Sequence, residues 1–237
     1  MKTGRWPEGH VPDWAHSMSL SREQQQREVL NYIEQIVQRY KSNSAIIAWQ
    51  AENEPLVNFG ECTWQDKEFL KKEVALIKSL DPTRPVIISD SGETSLWFDA
   101  ANIGDKVGIT IYRKVWVGDS VEFGDGPESG FYKTYNLIPA YYRLKAQVIK
   151  LFFGKEVIVT ELQAEPWAFK SYYDASLSEQ QKTMNLGQFR ENIKYAKSTG
   201  FDTFYLWGVE WWYWLKETQG KPEIWNTARE LFKNGNI

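Results

Sequence analysis

The chain has 237 residues, of which 42% are hydrophobic and 15% aromatic, and its formal net charge at pH 7 is −3. This is enough apolar sequence for one globular domain over residues 1–237, and the mixed acidic and basic residues disfavour a nucleic-acid-binding surface. No run of 18 apolar residues indicates a membrane segment. The one cysteine, Cys62, excludes an internal disulfide, and His10 and His16 lack a zinc-binding spacing, so we expect no metal and no other cofactor.

The first part of the chain alternates between predicted helices and strands. Ser21 and Gln24 form the pattern of a capping box, which predicts the start of a helix. The apolar run from Ala45 to Trp49 then predicts a buried strand. This strand must end before Pro55, because proline has no N–H to donate to the hydrogen bonds between strands. The predicted elements are, in order, a loop over 1–20, a helix over 21–40, a strand over 45–49, a helix over 65–80 and a strand over 86–89.

The same alternation continues to the end of the chain. The remaining predicted elements are a short helix over 95–101, a strand over 106–112, a substrate-side loop over 113–130, a helix over 137–152, a strand over 154–161, a loop over 162–177, a helix over 178–199, a strand over 201–209 and a helix over 225–233. Strands that alternate with helices predict an α/β fold with a parallel sheet. No glycine-rich phosphate motif follows a strand, which disfavours nucleotide binding.

Two of the predicted strands end in a carboxylate. Glu54 follows Asn53 at the end of the first strand, and Glu161 ends the strand that begins at Gly154. Barrel enzymes place catalytic groups at the C-terminal ends of buried parallel strands. The two acids are about three strand–helix units apart, so in a (β/α)8 barrel they are expected to face each other across its mouth.

These residues carry a resemblance to a known family. Asn53-Glu54-Pro55, Tyr112, Thr160-Glu161 and Trp207 occur in the order seen in the retaining (β/α)8-barrel glycoside hydrolases that include cellulases, mannanases and β-galactosidases. In that family an Asn-Glu pair ends the fourth strand and a second Glu ends the seventh. The resemblance implies a (β/α)8 TIM barrel that here lacks roughly its first two to three strands, with five parallel strands expected.

The family also implies a role for each matching residue. Glu54 would be the general acid/base and Glu161 the nucleophile, with carboxyl groups about 5–5.5 Å apart. Asn53 would hold the sugar 2-hydroxyl, Tyr112 would donate a hydrogen bond to Glu161, and Trp207 would form the floor beneath the reacting sugar ring.

Further residues match less of the family pattern. His10 corresponds to a residue after the third strand, and Trp167 lies in an aromatic-rich loop, so both are predicted substrate contacts. Thr110 stands where the family often has histidine. Three acids lie off the family positions and are expected to be solvated or paired: Glu52, Glu165 and Glu210.

The competing interpretation is a non-catalytic carbohydrate-binding protein on a degenerate barrel. Such a protein would keep the aromatic residues, whose flat faces suit sugar rings, but would need neither acid. Retention of both Glu54 and Glu161 favours the enzyme. The sugar, the linkage, endo or exo action and the oligomeric state stay open.

The strand count predicts that about 100 residues of a longer gene product precede this chain, on ordinary barrel dimensions. The strands near residues 45–50 and 203–209 would then be the edges of the sheet, so the chain expressed alone is expected to aggregate or stay partly molten, without glycosidase activity. Localisation stays open: a secreted, membrane-anchored or cytoplasmic protein is compatible with the sequence.

Overall fold

The computed structural model describes residues 20–58, 65–118 and 129–234. The described helices are α1 (Arg22–Tyr40), α2 (Lys67–Leu80), α3 (Phe98–Ile103), α4 (Pro139–Phe153), α5 (Leu177–Gln180), α6 (Leu186–Thr199), α7 (Val209–Gln219) and α8 (Glu223–Lys233). The described strands are β1 (Trp49–Gln50), β2 (Val86–Asp90), β3 (Lys106–Ile111), β4 (Lys114–Gly118), β5 (Gly130–Thr134), β6 (Glu156–Gln163) and β7 (Phe204–Trp207).

Five parallel strands form one sheet in the order β1-β2-β3-β6-β7, and β4 and β5 form a separate antiparallel pair. Helices connect most successive strands of the large sheet, which is the chain path of a partial (β/α)8 barrel. The predicted fold class and the five-strand count are confirmed. Within the described residues β1 and β7 are the outer strands, as expected from the sequence.

The helix ends follow local capping chemistry. At α1 both halves of the predicted capping box are present: Ser21 Oγ accepts from the Gln24 amide at 3.3 Å, and Gln24 Oε1 accepts from the Ser21 amide at 2.8 Å. At α2 the cap is Asp66, whose Oδ1 accepts from the Phe69 amide at 2.9 Å. That hydrogen bond is the main cause of a lowered pKa of Asp66.

Two predictions in the second part of the chain are wrong. The helix expected over 178–199 is two helices, because Ser176 caps α5 and Asn185 caps α6. The strand expected to continue to residue 209 ends at Trp207, since Gly208 has a φ of 142° and begins the unpredicted helix α7. The aromatic run after Gly208 is therefore helical rather than extended.

The substrate-side loop expected over 113–130 is also corrected. Residues 114–118 form β4, which pairs with β5 in a register that places Val115 opposite Lys133. A side chain on Gly130 would meet the Trp116 ring, so glycine allows this indole to lie directly over the β5 backbone. The strand pairing is long-range, with residues 119–128 between the partners outside the described part.

The apolar run before β1 is not the buried strand that the sequence predicts. Only Trp49 and Gln50 form β1, and Ile47 is 70% exposed. The Arg84 side chain donates to three main-chain carbonyls of the preceding segment, those of Lys41, Asn43 and Ile46. These carbonyls are therefore engaged by a guanidinium rather than by a neighbouring strand.

The chain divides into two compact units, Met1–Ile109 with Ala146–Val157 and Thr110–Lys145 with Ile158–Ile237. In the first unit the apolar face of α2 is buried, including Phe69, Leu70, Val74 and Ile77. In the second unit an apolar cluster joins the end of β6 to the helices α6, α7 and α8. Its buried members are Ala164, Met184, Phe189, Ile193, Trp211, Trp212, Leu215, Ile224 and Ala228. None of the helices in the described ranges is long and apolar enough to cross a membrane.

Asp81 connects β1 to the turn that follows α2. Its carboxylate accepts from Trp49 Nε1 at 3.0 Å, Thr83 Oγ1 at 2.8 Å and Arg84 Nη1 at 2.6 Å. These donors, the Trp49 indole first, hold the pKa of Asp81 well below its usual range. The ionised carboxylate thus anchors both the strand and the arginine.

We predict that Asp81→Asn lowers the free energy of unfolding at pH 7, because the guanidinium of Arg84 loses its charged partner. The carboxylate's contribution is complete above the pKa of an unfolded aspartate, about 3.9, and is lost as pH falls through the lower folded pKa. In urea unfolding curves, the difference in free energy of unfolding between wild type and variant should therefore become smaller only below about pH 4.

Asp99→Asn is the matched control. Asp99 pairs with Lys67 at a half-exposed position, where an ion pair contributes at most about 1 kcal/mol. A difference between wild type and Asp81→Asn that is no larger than this control, or that does not change with pH, would contradict the assigned role.

Candidate active site

The segment after β1 holds the first candidate catalytic group in a rare backbone conformation. Asn53 and Glu54 are each only 7% exposed, and Glu54 has a φ of 42°. Positive φ is uncommon for residues other than glycine, and such strain is concentrated at functional sites. Strain of this kind costs on the order of 1–3 kcal/mol, so the surrounding contacts must maintain it.

Ser89 on β2 supplies the contact that holds this turn. Its hydroxyl is fully buried and accepts from the Glu54 amide at 2.8 Å. The same oxygen lies 3.3 Å from Gln50 Nε2, and that amide group also donates to the Glu52 carbonyl at 3.1 Å. Glu54 is therefore held in place through its main-chain amide, which donates to Ser89.

A second acid lies buried behind this segment. Glu73 on α2 is completely buried, and burial together with the neighbouring carboxylate of Glu52 raises the pKa of Glu73 to about 9. Glu73 consequently carries a proton at neutral pH. Among the charged groups around Glu73, Glu52, which is expected to be solvated or paired, raises this pKa most.

Tyr112 and Glu161 meet in the second compact unit. The Tyr112 hydroxyl donates to Glu161 Oε2 at 2.7 Å, and each residue is 8% exposed. The hydrogen bond expected from the sequence is present. The phenol therefore holds the carboxylate in one orientation.

A strand irregularity places Glu161. β6 and β7 are in register at Val159 opposite Phe204, but the next pair is Leu162 opposite Leu206. Three steps along β6 thus match two along β7, which is a β-bulge at Thr160-Glu161. Bulges redirect side chains and are frequent beside active sites.

Trp167 packs beside this pair. Its ring lies edge-on to Tyr112 with centroids 5.0 Å apart. Its main chain is held on both sides, since the Trp167 amide donates to Thr183 Oγ1 at 3.0 Å and its carbonyl accepts from the Trp116 amide at 3.0 Å. Trp167 is thus held against Tyr112, the hydrogen-bond partner of the candidate nucleophile Glu161.

Trp207 is oriented by Glu165, an acid that lies off the family positions. The Trp207 indole donates to Glu165 Oε1 at 2.8 Å, and the Trp207 carbonyl accepts from the Ala164 amide at 3.0 Å. A Cβ on Gly208 would approach the Ala164 carbonyl to 2.8 Å, so glycine is needed for this close crossing. Glu165 is paired, as expected, but its partner makes it part of the candidate site.

The structure groups the predicted site residues by unit. Tyr112 contacts both Glu161 and Trp167, whereas Asn53 and Glu54 are adjacent residues in the segment after β1. His10 lies outside the described residues. In the described ranges no group of three or more His, Cys, Asp or Glu side chains could hold a metal ion.

Comparisons with known proteins point to carbohydrate-active enzymes. Residues 6–117 match the family model of the glycosyl hydrolases family 2 TIM barrel domain. Over 186 residues the chain is 25% identical to human β-glucuronidase, covering 78% of this chain and 26% of that protein. Over 146 residues it is 27% identical to mannan endo-1,4-β-mannosidase A of Emericella nidulans, covering 60% of this chain and 33% of that protein. The chain thus spans about a quarter to a third of these curated relatives.

Two solved structures share the fold. Xylanase 10B from Thermotoga petrophila in complex with xylobiose aligns over 98% of this chain and 73% of its own, with a TM-score of 0.51 and 14% identity. A family 2 β-galacturonidase from Eisenbergiella tayi bound to galacturonate aligns over 77% of this chain and 29% of its own, with a TM-score of 0.50 and 18% identity. The fold is therefore that of a partial TIM barrel.

We predict that Glu73→Gln removes a pH dependence of stability. The unfolded chain releases the Glu73 proton near pH 4.5, whereas the folded protein holds it to about pH 9. The free energy of unfolding of the wild type should therefore fall as pH rises between these values. The negative charge of Asp66, like that of Glu52, contributes to the raised pKa of Glu73. Glutamine resembles the protonated acid, so the variant should gain stability relative to wild type from pH 5 to pH 9 in urea unfolding.

Glu68→Gln on the same helix is the control, because the Glu68 side chain is 79% exposed. The free energy of unfolding of Glu68→Gln should change with pH in the same way as that of the wild type. Parallel curves for Glu73→Gln as well would show that Glu73 is not held protonated.

Proposed function

We propose that the protein carrying this chain, whose fold is that of a glycoside hydrolase barrel, hydrolyses β-glycosidic bonds by a retaining double displacement. The observation that carries the proposal is the Tyr112–Glu161 hydrogen bond of 2.7 Å between two buried side chains at strand ends. Human β-glucuronidase and the Emericella mannosidase are both named as glycosidases, which supports the same reaction class here.

In the first step the Glu161 carboxylate attacks the anomeric carbon while Glu54 gives its proton to the leaving oxygen. The bond to the leaving group breaks and a glycosyl ester forms on Glu161. In the second step Glu54 takes a proton from water, the water oxygen attacks the anomeric carbon, and the ester bond breaks. Two inversions return the original anomeric configuration and restore both acids.

The other predicted residues hold the sugar or orient the nucleophile. Asn53 is proposed to bind the 2-hydroxyl, a contact that strengthens in the transition state. Trp207 offers a flat indole face to the ring, and its hydrogen bond to Glu165 fixes the tilt of that face. Tyr112 keeps the attacking oxygen of Glu161 oriented.

The alternative is a carbohydrate-binding protein without catalysis. Such a protein needs the aromatic faces but has no use for a carboxylate in a strained turn. The positive φ of Glu54 costs stability, and the bulge at Glu161 redirects a side chain, which favours a chemical role for these two acids. An assay of the full-length gene product against a panel of aryl β-glycosides, including glucuronide, galacturonide, mannoside and galactoside, separates the two functions. If none of these substrates is hydrolysed, the binding protein is the better interpretation.

We predict that Glu54→Ala in the full-length gene product loses about 10²–10⁴-fold in kcat/KM on natural glycosides, the usual contribution of a positioned general acid. Aryl glycosides with leaving groups that need no proton should lose far less in the first step. Steady-state kinetics on both substrate types gives the comparison.

Glu210→Ala serves as the control, since Glu210 is an exposed acid at the start of α7. It should leave both substrates unaffected. Equal losses on natural and activated substrates in Glu54→Ala would rule out the acid role.

We predict that a slow-release fluoroglycoside labels a single peptide, the one that contains Glu161. The fluorine slows hydrolysis of the ester, so the covalent intermediate accumulates and mass spectrometry can locate it. Glu161→Gln should not be labelled. Proton NMR that shows an inverted first product would exclude the covalent mechanism.

A further inference from the structure

Gln163 lies two residues after Glu161, at the end of β6, and is fully buried. Its Oε1 accepts from two successive amides, Arg113 at 2.8 Å and Lys114 at 3.0 Å. Its Nε2 donates to the Lys114 carbonyl at 2.6 Å. The side-chain amide thus makes the hydrogen bonds to Arg113 and Lys114, the two residues directly after Tyr112, that a neighbouring strand would otherwise make.

The main chain of Gln163 is itself fixed from the opposite side. Its carbonyl accepts from Asn192 Nδ2 at 2.9 Å, and Asn192 Oδ1 accepts from Gln188 Nε2 at 2.7 Å. All three residues are at most 5% exposed. A buried polar network of this kind is stable only when its members are paired, and it then specifies one arrangement.

The chemistry of the side chain explains why an amide is used here. The segment after Tyr112 presents two N–H donors and one carbonyl acceptor to the same buried point. Glutamine offers an acceptor with two lone pairs and an N–H donor together without a charge. An ionised glutamate would lack the donor, and methionine would offer only a weak sulfur acceptor.

We propose that Gln163 is a positioning residue that holds Tyr112 at hydrogen-bond distance from Glu161. The inference rests on the proposed function, because it assigns the Tyr112–Glu161 contact to the nucleophile. Gln163 and Glu161 belong to one strand, so pinning residues 113 and 114 to that strand fixes where the phenol of Tyr112 can reach. Small misplacements of catalytic contacts have large effects, since about 1 Å can cost 10²-fold in rate.

Other contacts keep this segment folded when Gln163 is changed. Arg113 Nε donates to the Tyr135 carbonyl at 3.2 Å, and the Tyr135 amide donates to the Arg113 carbonyl at 2.9 Å. The Arg113 guanidinium also lies 4.0 Å from the centroid of the Tyr195 ring. Loss of Gln163 is therefore expected to loosen the segment without unfolding it.

The test compares Gln163→Met with Gln180→Met in the full-length gene product. Gln180 is equally buried, donates to the carbonyls of Tyr172 and Ala175 and accepts from the Trp211 indole. Both substitutions remove three or more hydrogen bonds from a buried amide, so both should lower the melting temperature. Only Gln163→Met should speed hydrogen exchange at the amides of Arg113 and Lys114.

Kinetics supplies the second readout. Gln163→Met should lower kcat/KM by roughly 10- to 100-fold, mostly in kcat, and Tyr112→Phe should lower it similarly. Since both changes break the same contact, the double variant should lose little more than either single variant. Gln180→Met combined with Tyr112→Phe should instead be additive.

Three outcomes would overturn the inference: unchanged exchange at residues 113 and 114, additive losses in the double variant, or a crystal structure of Gln163→Met that retains the Tyr112–Glu161 hydrogen bond. If Gln163→Met does not fold, Gln163→Glu keeps the acceptor atoms, removes the donor to Lys114, and should give a smaller change in the same readouts. If the gene product has no glycosidase activity, the proposed function fails, whereas exchange and the crystal structure still decide the positioning role.

Discussion

The polar groups at the carboxyl ends of the strands are almost completely removed from water, and each must be paired within the protein. A buried donor or acceptor left without a partner costs about 1–3 kcal/mol. Ser89 meets this need for the Glu54 amide, and Gln163 meets it for the amides of Arg113 and Lys114. The positions of the candidate catalytic groups follow from these pairings.

The two compact units satisfy the constraint in different ways. In the first, side chains hold main chain: Ser89 supports a strained turn at Glu54, and Arg84 donates to carbonyls of the segment before β1. In the second, a bulge redirects Glu161, and side-chain amides and carboxylates orient aromatic residues such as Trp207. Both arrangements exchange local regularity for a defined side-chain direction.

Sequence reasoning was most reliable where a local signal exists. The capping box at Ser21, for example, lies within a few residues of the start of the helix that it defines. The helix α7 was missed because its aromatic residues suit a strand as well as a helix. The β4–β5 pair was missed because nothing in either segment specifies a partner across residues 119–128.

The five parallel strands and the residue types near their ends, including Glu54, Glu161 and Tyr112, could be predicted because periodicity and short motifs are local properties. The groups that hold these residues could not: Ser89 is 35 residues from Glu54, Gln163 is 50 from Arg113, and Glu165 is 42 from Trp207. Such pairs depend on the register between strands, and in β6 that register is shifted by a bulge that no local pattern encodes.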